Sequence, residues 1–272
     1  MKTLHIIMPM AGEGNRFKEA GYNIPKPLIK FEGKELYRHS LESLDFSNYK
    51  KYVNINIKYT FIVRKEFIDD YNIDVEIKKY YPNANILFVD KTTRGALETL
   101  MIAKELIDDD DYVISTDCDF KFQCESYVRQ IWERCIYDHI SHVPMVMTFY
   151  SRNPMYSFIH PVNKHYGDHL EEKNPISSYA ICGCYALGNG KNLKLASEQY
   201  IKDFEEGKIK SKELYISGVY NYVIKIINEY VQIIDMNLHN DHLWSFGTPY
   251  DLEHYNYDRN IWDNNKEKTN LR

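Results

Sequence analysis

The sequence predicts one α/β domain built on a mostly parallel, twisted sheet flanked by helices. Three observations carry that reading. Residues 4–8 form a continuous apolar run, as a strand buried on both faces requires. Strand-like and helix-like stretches alternate through the first half, the pattern of βαβ units. Residues 112–116 then read as a strand that delivers Asp117 to its carboxyl end, the edge where such sheets bind ligands.

The elements follow in order. After the first strand, Gly12 and Gly14 break the chain into a loop. Pro25 and Pro27 fix an extended stretch, because each also disfavours helix at the residue before it. Leu36, Leu41 and Leu44 recur with helical spacing, and residues 60–63 and 86–89 read as strands. Residues 96–107 predict a helix whose Ala96, Leu100, Ala103 and Ile107 share one face. The acidic run 108–111 ends it, since carboxylates are disfavoured at the negative end of a helix dipole. Further on, 143–150, 178–187 and 231–236 read as strands, and 193–204 and 214–227 as helices. No linker or composition shift divides the chain, so residues 1–255 form the domain and 256–272 a polar tail that frays or caps it.

Composition excludes several classes. A net charge of −5 over 272 residues gives no general electrostatic grip on nucleic acid, so any phosphate is held locally. Nothing approaches a membrane-spanning apolar run, and Pro9 and Glu13 follow the first strand too closely for a signal peptide. A cytoplasmic protein with no membrane partner is expected. Cys118, Cys124, Cys135, Cys182 and Cys184 are odd in number and irregular in spacing, which favours free thiols over a disulfide framework. Cys182 and Cys184 would share one face of a strand and pack in the core. Paired histidines at 139/142 and 239/242 have no further ligands nearby in sequence, so no zinc site is expected.

Four places carry possible chemistry. Met10-Ala11-Gly12-Glu13-Gly14-Asn15-Arg16-Phe17 follows the buried strand; its glycines let backbone N–H groups face an anion, and Arg16 adds a planar donor fork. It matches neither the dinucleotide fingerprint nor the Walker loop, and alone it reads equally as an ordinary turn with a surface arginine. Pro25-Lys26-Pro27-Leu28 restricts where one ammonium can point; alone it reads more simply as a rigid connector. Asp117-Cys118-Asp119 offers hard oxygen ligands for Mg²⁺ bridging nucleotide phosphates, or merely two turn carboxylates. Glu171-Glu172-Lys173-Asn174-Pro175 sets a carboxylate beside an ammonium, suited to a sugar hydroxyl and a phosphate or to a solvated turn.

Order and spacing add to this. The glycine loop with Arg16-Phe17, followed by Pro-Lys-Pro-Leu, resembles the opening of sugar-phosphate nucleotidyltransferases (NDP-sugar pyrophosphorylases), enzymes of a glycosyltransferase-A-like, Rossmann-like fold. Thr93-Arg94-Gly95-Ala96-Leu97-Glu98-Thr99, Ile114-Ser115-Thr116-Asp117, Glu172-Lys173-Asn174-Pro175 with Gly183-Cys184-Tyr185, and Trp244-Ser245-Phe246-Gly247-Thr248-Pro249-Tyr250-Asp251-Leu252 extend the likeness over nearly the whole chain. The resemblance implies that Met10, Ala11, Gly12, Glu13, Gly14 and Arg16 hold nucleoside triphosphate phosphates. Gly95 and Ala96 would line the base pocket. Lys26 would lie between the α-phosphate and the acceptor, and Asp117, with Asp119, would bind Mg²⁺. Glu172 and Gly183 would contact the acceptor, and Lys173 would hold its phosphate. The expected partners are a nucleoside triphosphate and a small phosphorylated acceptor, and a homo-oligomer is left open. The expected product is an activated precursor for surface polysaccharide.

Two departures keep other readings in play: Glu13 sets an acidic side chain in the phosphate loop, to point to solvent or to help the metal, and a late carboxylate is missing. Many relatives carry a second metal-binding Asp just before the closing Gly-Thr, where this chain has Ser245-Phe246; Asp241 or Asp119 is the candidate substitute, or the metal leans on phosphates and water. A nucleotide-binding regulatory subunit without turnover would explain the gap. A glycosyltransferase using Asp117-x-Asp119 is the other alternative, with Arg16 and Lys26 arguing against it.

Overall fold

A computed structural model describes residues 2–238 and 241–254, so the predicted tail 256–272 lies outside the described residues. In chain order the strands are β1 (Thr3–Pro9), β2 (Lys30–Phe31), β3 (Lys34–Glu35), β4 (Asn56–Arg64), β5 (Asn85–Val89) and β6 (Tyr112–Thr116). Then come β7 (Phe120–Gln123), β8 (Met145–Tyr150), β9 (Ser157–Asn163), β10 (Tyr166–Glu172), β11 (Tyr179–Asn189), β12 (Val231–Asp235) and β13 (His242–Ser245). Nine of these form one sheet in the order β5-β4-β1-β6-β11-β8-β12-β10-β9; β2–β3 and β7–β13 are separate two-stranded pairs.

The sheet is mixed, which corrects the expectation of a mostly parallel one. β5, β4, β1 and β6 are mutually parallel, as the first-half alternation predicts. β11 then runs antiparallel between β6 and β8, and β10 is antiparallel to both β12 and β9. One of these antiparallel pairs is the β9–β10 hairpin, which the sequence reading did not find. Hairpin connections force antiparallel neighbours. Its turn is closed by Asn163, whose side-chain oxygen accepts from the backbone N–H of His165 and Tyr166. That is an Asx turn rather than the Asn-Gly signal of a two-residue hairpin.

The continuous apolar run of β1 has its explanation in the layers. Leu4, Ile6 and Met8 pack on one face with Phe61 and Ile114, while Ile7 packs on the other with Ile62, Val113, Leu97 and Leu193. Burying both faces removes the alternation that a one-sided strand would show. The predicted helix 96–107 is an α-helix at Ala96–Met101 followed by a 3₁₀ turn at Lys104–Leu106. Leu100, Ala103 and Ile107 are nevertheless buried as the spacing predicts, and Ala96 is half-buried. The helices Gly190–Glu205 and Ile216–Ile227 cover the second half of the sheet. All five cysteines are free and buried. Among the described residues no helix is long and apolar enough to cross a membrane.

The register places the functional edge. Ile7 of β1 pairs with Thr60 of β4 and Ser115 of β6, so these strands end together. Residues 10–14 and 117–119 therefore leave neighbouring strands at the same rim.

Candidate functional site

The glycine loop begins with Met10, whose N–H donates to Ile62 O at 2.9 Å, continuing the strand for one residue. Gly14 adopts a left-handed φ of 67° and caps the short helix Asn15–Glu19. An ideal Cβ there would lie 3.4 Å from Lys26 Cβ, so the loop packs directly on the lysine. Phe17 anchors the helix from below, buried edge-on against Tyr22.

Lys26 does not lie in an extended stretch, as the two prolines suggest. Lys26–Leu28 is a 3₁₀ turn entered through Pro25, with Pro27 inside it. Proline is tolerated there because the first N–H groups of a turn have no internal partner. The consequence for Lys26 is the predicted one, a fixed backbone with one direction to reach. Its Nζ donates to Asp119 Oδ2 at 2.7 Å, and both side chains are under a quarter exposed. Burial draws the ammonium's pKa down, but the Asp119, Cys118 and Asp117 groups outweigh it, so the net shift is upward and Lys26 is charged.

Asp117 leaves the end of β6 with its N–H bonded to Gly183 O at 2.8 Å. Gly183 gives the reason for a glycine in β11: a Cβ there would sit 2.3 Å from Asp117 Oδ2. The residue expected to contact an acceptor thus also makes room for the carboxylate beside it. Burial first, then the Asp119 charge, raises the Asp117 pKa, with Lys26 opposing and Glu172 adding to the rise. Burial and a neighbouring carboxylate both favour the neutral form of Asp117, and a nearby cation opposes them. Asp119 is tied to the closing motif, its carbonyl accepting from Phe246 N–H at 2.6 Å.

Two cavities meet at this pair. One, of about 220 Å³, is lined by Met10, Gly12, Gly14, Lys26, Asp117 and Asp119. The other, of about 470 Å³, is lined by Arg16, Asp117, Asp119, Tyr156, Glu172 and Gly183, among others. The structure thus brings Arg16, Lys26, Asp117, Asp119, Glu172 and Gly183 into one cleft. Glu172, at the end of β10, accepts from Ser217 Oγ at 2.7 Å. Burial raises its pKa against the hydrogen bonds of Ser217 and Ser157.

Other expected site residues stand elsewhere. Glu13 turns away from the cleft, accepting from Thr92 Oγ1 at 2.9 Å and Asn15 Nδ2 at 3.0 Å. Gly95 and Ala96 line neither cavity. Gly95 has φ 151° and a site for Cβ only 2.5 Å from Leu214 O, so its glycine is explained by close packing on the segment before the helix Ile216–Ile227. Ala11 is buried beneath the loop. Lys173 has a left-handed φ of 56° and donates its Nζ to Tyr215 Oη at 2.9 Å, outside both cavities. Asp241 is no substitute for the missing late carboxylate: it lines a separate cavity with His39, Lys121 and Cys124.

Sequence reasoning missed Ser217 and Ser157, which shape the Glu172 side. Nothing local marks them, since they arrive from separate elements. It also missed the role of Thr248 and Asp251. Thr248 N–H donates to Asp251 Oδ2 at 2.8 Å and Asp251 N–H to Thr248 Oγ1 at 3.2 Å, a reciprocal cap that holds the closing motif at the cleft. The Thr-x-x-Asp spacing is a legible helix-start signal.

Asp117 and Asp119 fit a magnesium ion in number. Among the described residues no group of three His, Cys, Asp or Glu side chains is placed to hold a metal by itself. Magnesium takes one or two carboxylates and completes its shell with substrate phosphates and water. A carboxylate pair that a nearby cation stabilises matches that chemistry.

Comparison with known proteins agrees with this geometry. The model of the nucleotidyl transferase family matches residues 4–217. No curated protein matches the sequence. A nucleoside-diphosphate-sugar pyrophosphorylase from Vibrio cholerae superposes with TM-score 0.69 at 22% identity, over 92% of this chain and 98% of its own. An inositol-1-phosphate CTP transferase from T. maritima gives 0.67 at 13% identity, over 95% and 94%. A UDP-glucose pyrophosphorylase from Acinetobacter baumanii gives 0.63 at 13%, over 100% and 99%. With the family model spanning most of the chain and the phosphate-loop, lysine and aspartate residues gathered at one rim, this chain belongs to the nucleotidyl transferase family.

Proposed function

We propose that the protein transfers a nucleotidyl group from a nucleoside triphosphate to a sugar phosphate or related small phosphate, with magnesium, releasing pyrophosphate. The observation that carries this reading is the pair of cavities joined at Asp117 and Asp119, one against the glycine loop and Lys26, the other reaching Glu172. The reading takes the first for the triphosphate and the second for the acceptor. Its product would serve as an activated precursor for surface polysaccharide, made in the cytoplasm where nucleoside triphosphates are supplied.

A phosphate oxygen of the acceptor attacks the α-phosphorus in line. The bond from that phosphorus to the bridging oxygen breaks, and pyrophosphate leaves with the electron pair. A phosphate monoester is already anionic, so no general base is needed. The difficulty is bringing two polyanions together, and positioning and fixed charge supply the remedy. In this reading the backbone of residues 10–14 takes the leaving phosphates, and Arg16 would reach them from the second cavity, which it lines. Lys26 sits between donor and acceptor, and Glu172 accepts from acceptor hydroxyls. Lys173 would leave Tyr215 to reach the acceptor phosphate. Asp117 and Asp119 would hold the magnesium ion, which supplies charge neutralisation on the phosphates.

The test is an array of the four nucleoside triphosphates against sugar 1-phosphates and other small phosphates, with Mg²⁺, scored by pyrophosphate release. Turnover with one pair is expected. Nucleotide binding with no turnover anywhere would instead select the regulatory-subunit reading. Transfer from a nucleotide-sugar without use of free triphosphate would select a glycosyltransferase.

A further inference from the structure

We propose that Asp119 is a positioning residue with two successive partners: the Lys26 ammonium in the empty cleft, and a divalent cation in the loaded one. The inference rests on the reading of Asp117 and Asp119 as the metal-binding pair. It goes beyond that reading by coupling cation binding to the release of Lys26.

The ion pair is the starting point. Lys26 Nζ lies 2.7 Å from Asp119 Oδ2, both groups mostly buried, at the rim shared by the two cavities. A mostly buried carboxylate beside Asp117 is stabilised by a cation, and Lys26 is the one paired with it at 2.7 Å. The same oxygen cannot keep a short hydrogen bond from an ammonium and also bind a metal at full strength. The two cations therefore compete for one ligand.

The surroundings confine the exchange to side chains. The Lys26 backbone is held by the 3₁₀ turn and by Gly14 packed on its Cβ. The Asp119 backbone is held by the Phe246 N–H. An ammonium released from Asp119 still faces the cavity lined by Gly12 and Gly14, the space assigned to phosphate. Occupation of Asp119 by a cation thus frees Lys26 where an anion needs it. In the empty cleft Lys26 holds the metal affinity down, and a nucleotide arriving with its cation satisfies both partners at once.

A double-mutant cycle on the whole protein tests this, with Mn²⁺ as the probe and no nucleotide. Free Mn²⁺ is followed by electron paramagnetic resonance for wild type, Lys26→Gln, Asp119→Asn and the double variant. Circular dichroism checks folding, and Arg16→Gln controls for the general loss of a cleft cation. Lys26→Gln should bind Mn²⁺ about tenfold tighter than wild type, a gain that disappears in the Asp119→Asn background. An equal gain in both backgrounds, a gain matched by Arg16→Gln, or no gain would overturn the exchange. None of these results touches nucleotidyl transfer, which stands or falls on pyrophosphate release. Absence of Mn²⁺ binding by every form would overturn the proposal together with the metal-pair reading.

Discussion

The two lysines expected to face substrate sit in opposite settings. Lys26 is mostly buried, fixed at its backbone, and paired at 2.7 Å with a carboxylate on the neighbouring strand end. Lys173 is exposed, leaves a hairpin end through a left-handed φ, and rests on the Tyr215 hydroxyl and ring. In the proposed reading the triphosphate side already holds its lysine at the site and only exchanges its partner, whereas the acceptor side must bring its lysine in. Fixed charges in a cleft cost no reorganisation at the moment of reaction; mobile ones do. If the proposed function holds, the difference teaches that the first half supplies the reaction's electrostatics and the second half its recognition.

Replacing the two lysines is the strongest way to break that contrast. Lys26→Ala should lower kcat by about 10²–10³-fold, the loss typical of one preorganised charge-stabilising donor. Lys173→Ala should act mainly on the acceptor KM, by no more than about tenfold. Pyrophosphate-release kinetics with saturating nucleotide check both, and equal losses in kcat would end the distinction.

Backbone packing gives the next largest effects. Gly183→Ala sets a methyl 2.3 Å from Asp117 Oδ2, so the carboxylate must shift. Overpacking of this kind costs about 1–3 kcal/mol, and here activity should fall with it. Gly95→Ala meets the Leu214 backbone at 2.5 Å and should cost a similar amount of stability. Gly12→Ala meets nothing within 4 Å and should melt like wild type. Denaturant titrations order the three; a Gly12→Ala variant as unstable as Gly183→Ala would refute the packing argument.

The smallest effect sharpens the acceptor side. Glu172 has a raised pKa because burial outweighs its hydroxyl partners. The folded protein then holds that proton more tightly than the unfolded chain. Its contribution to stability is greatest at low pH and declines as pH rises from the ordinary carboxylate value through the folded one. Glu172→Gln removes this slope, so wild type should lose stability relative to the variant across that window. Thermal melts against pH check it, and a constant difference would mean that Glu172 is not desolvated.

Much of the first half was legible because its signals are local. A continuous apolar run marks a doubly buried strand, and glycines or prolines next to it mark the loop that follows. Gly12–Gly14, Lys26 and Asp117 could be named from those patterns and from family likeness, since each lies at or near a strand end. The 3₁₀ turn at Lys26 and the split in the helix after Ala96 escaped because proline and apolar spacing fit more than one tight geometry. Glu13 was read with the loop, yet it points to Thr92, which only folding brings near.

By itself, the sequence determined an α/β domain, the edge where its chemistry gathers, and the residue types gathered there, because periodicity and loop composition act over a few residues. Tertiary structure alone decided the antiparallel course of β11, the meeting of Lys26 with Asp119 across 93 residues of chain, the room that Gly183 leaves for Asp117, and the turning of Lys173 toward Tyr215. Those outcomes depend on which distant backbones lie side by side. Such juxtapositions are set by packing of the whole sheet rather than by any short stretch of residues.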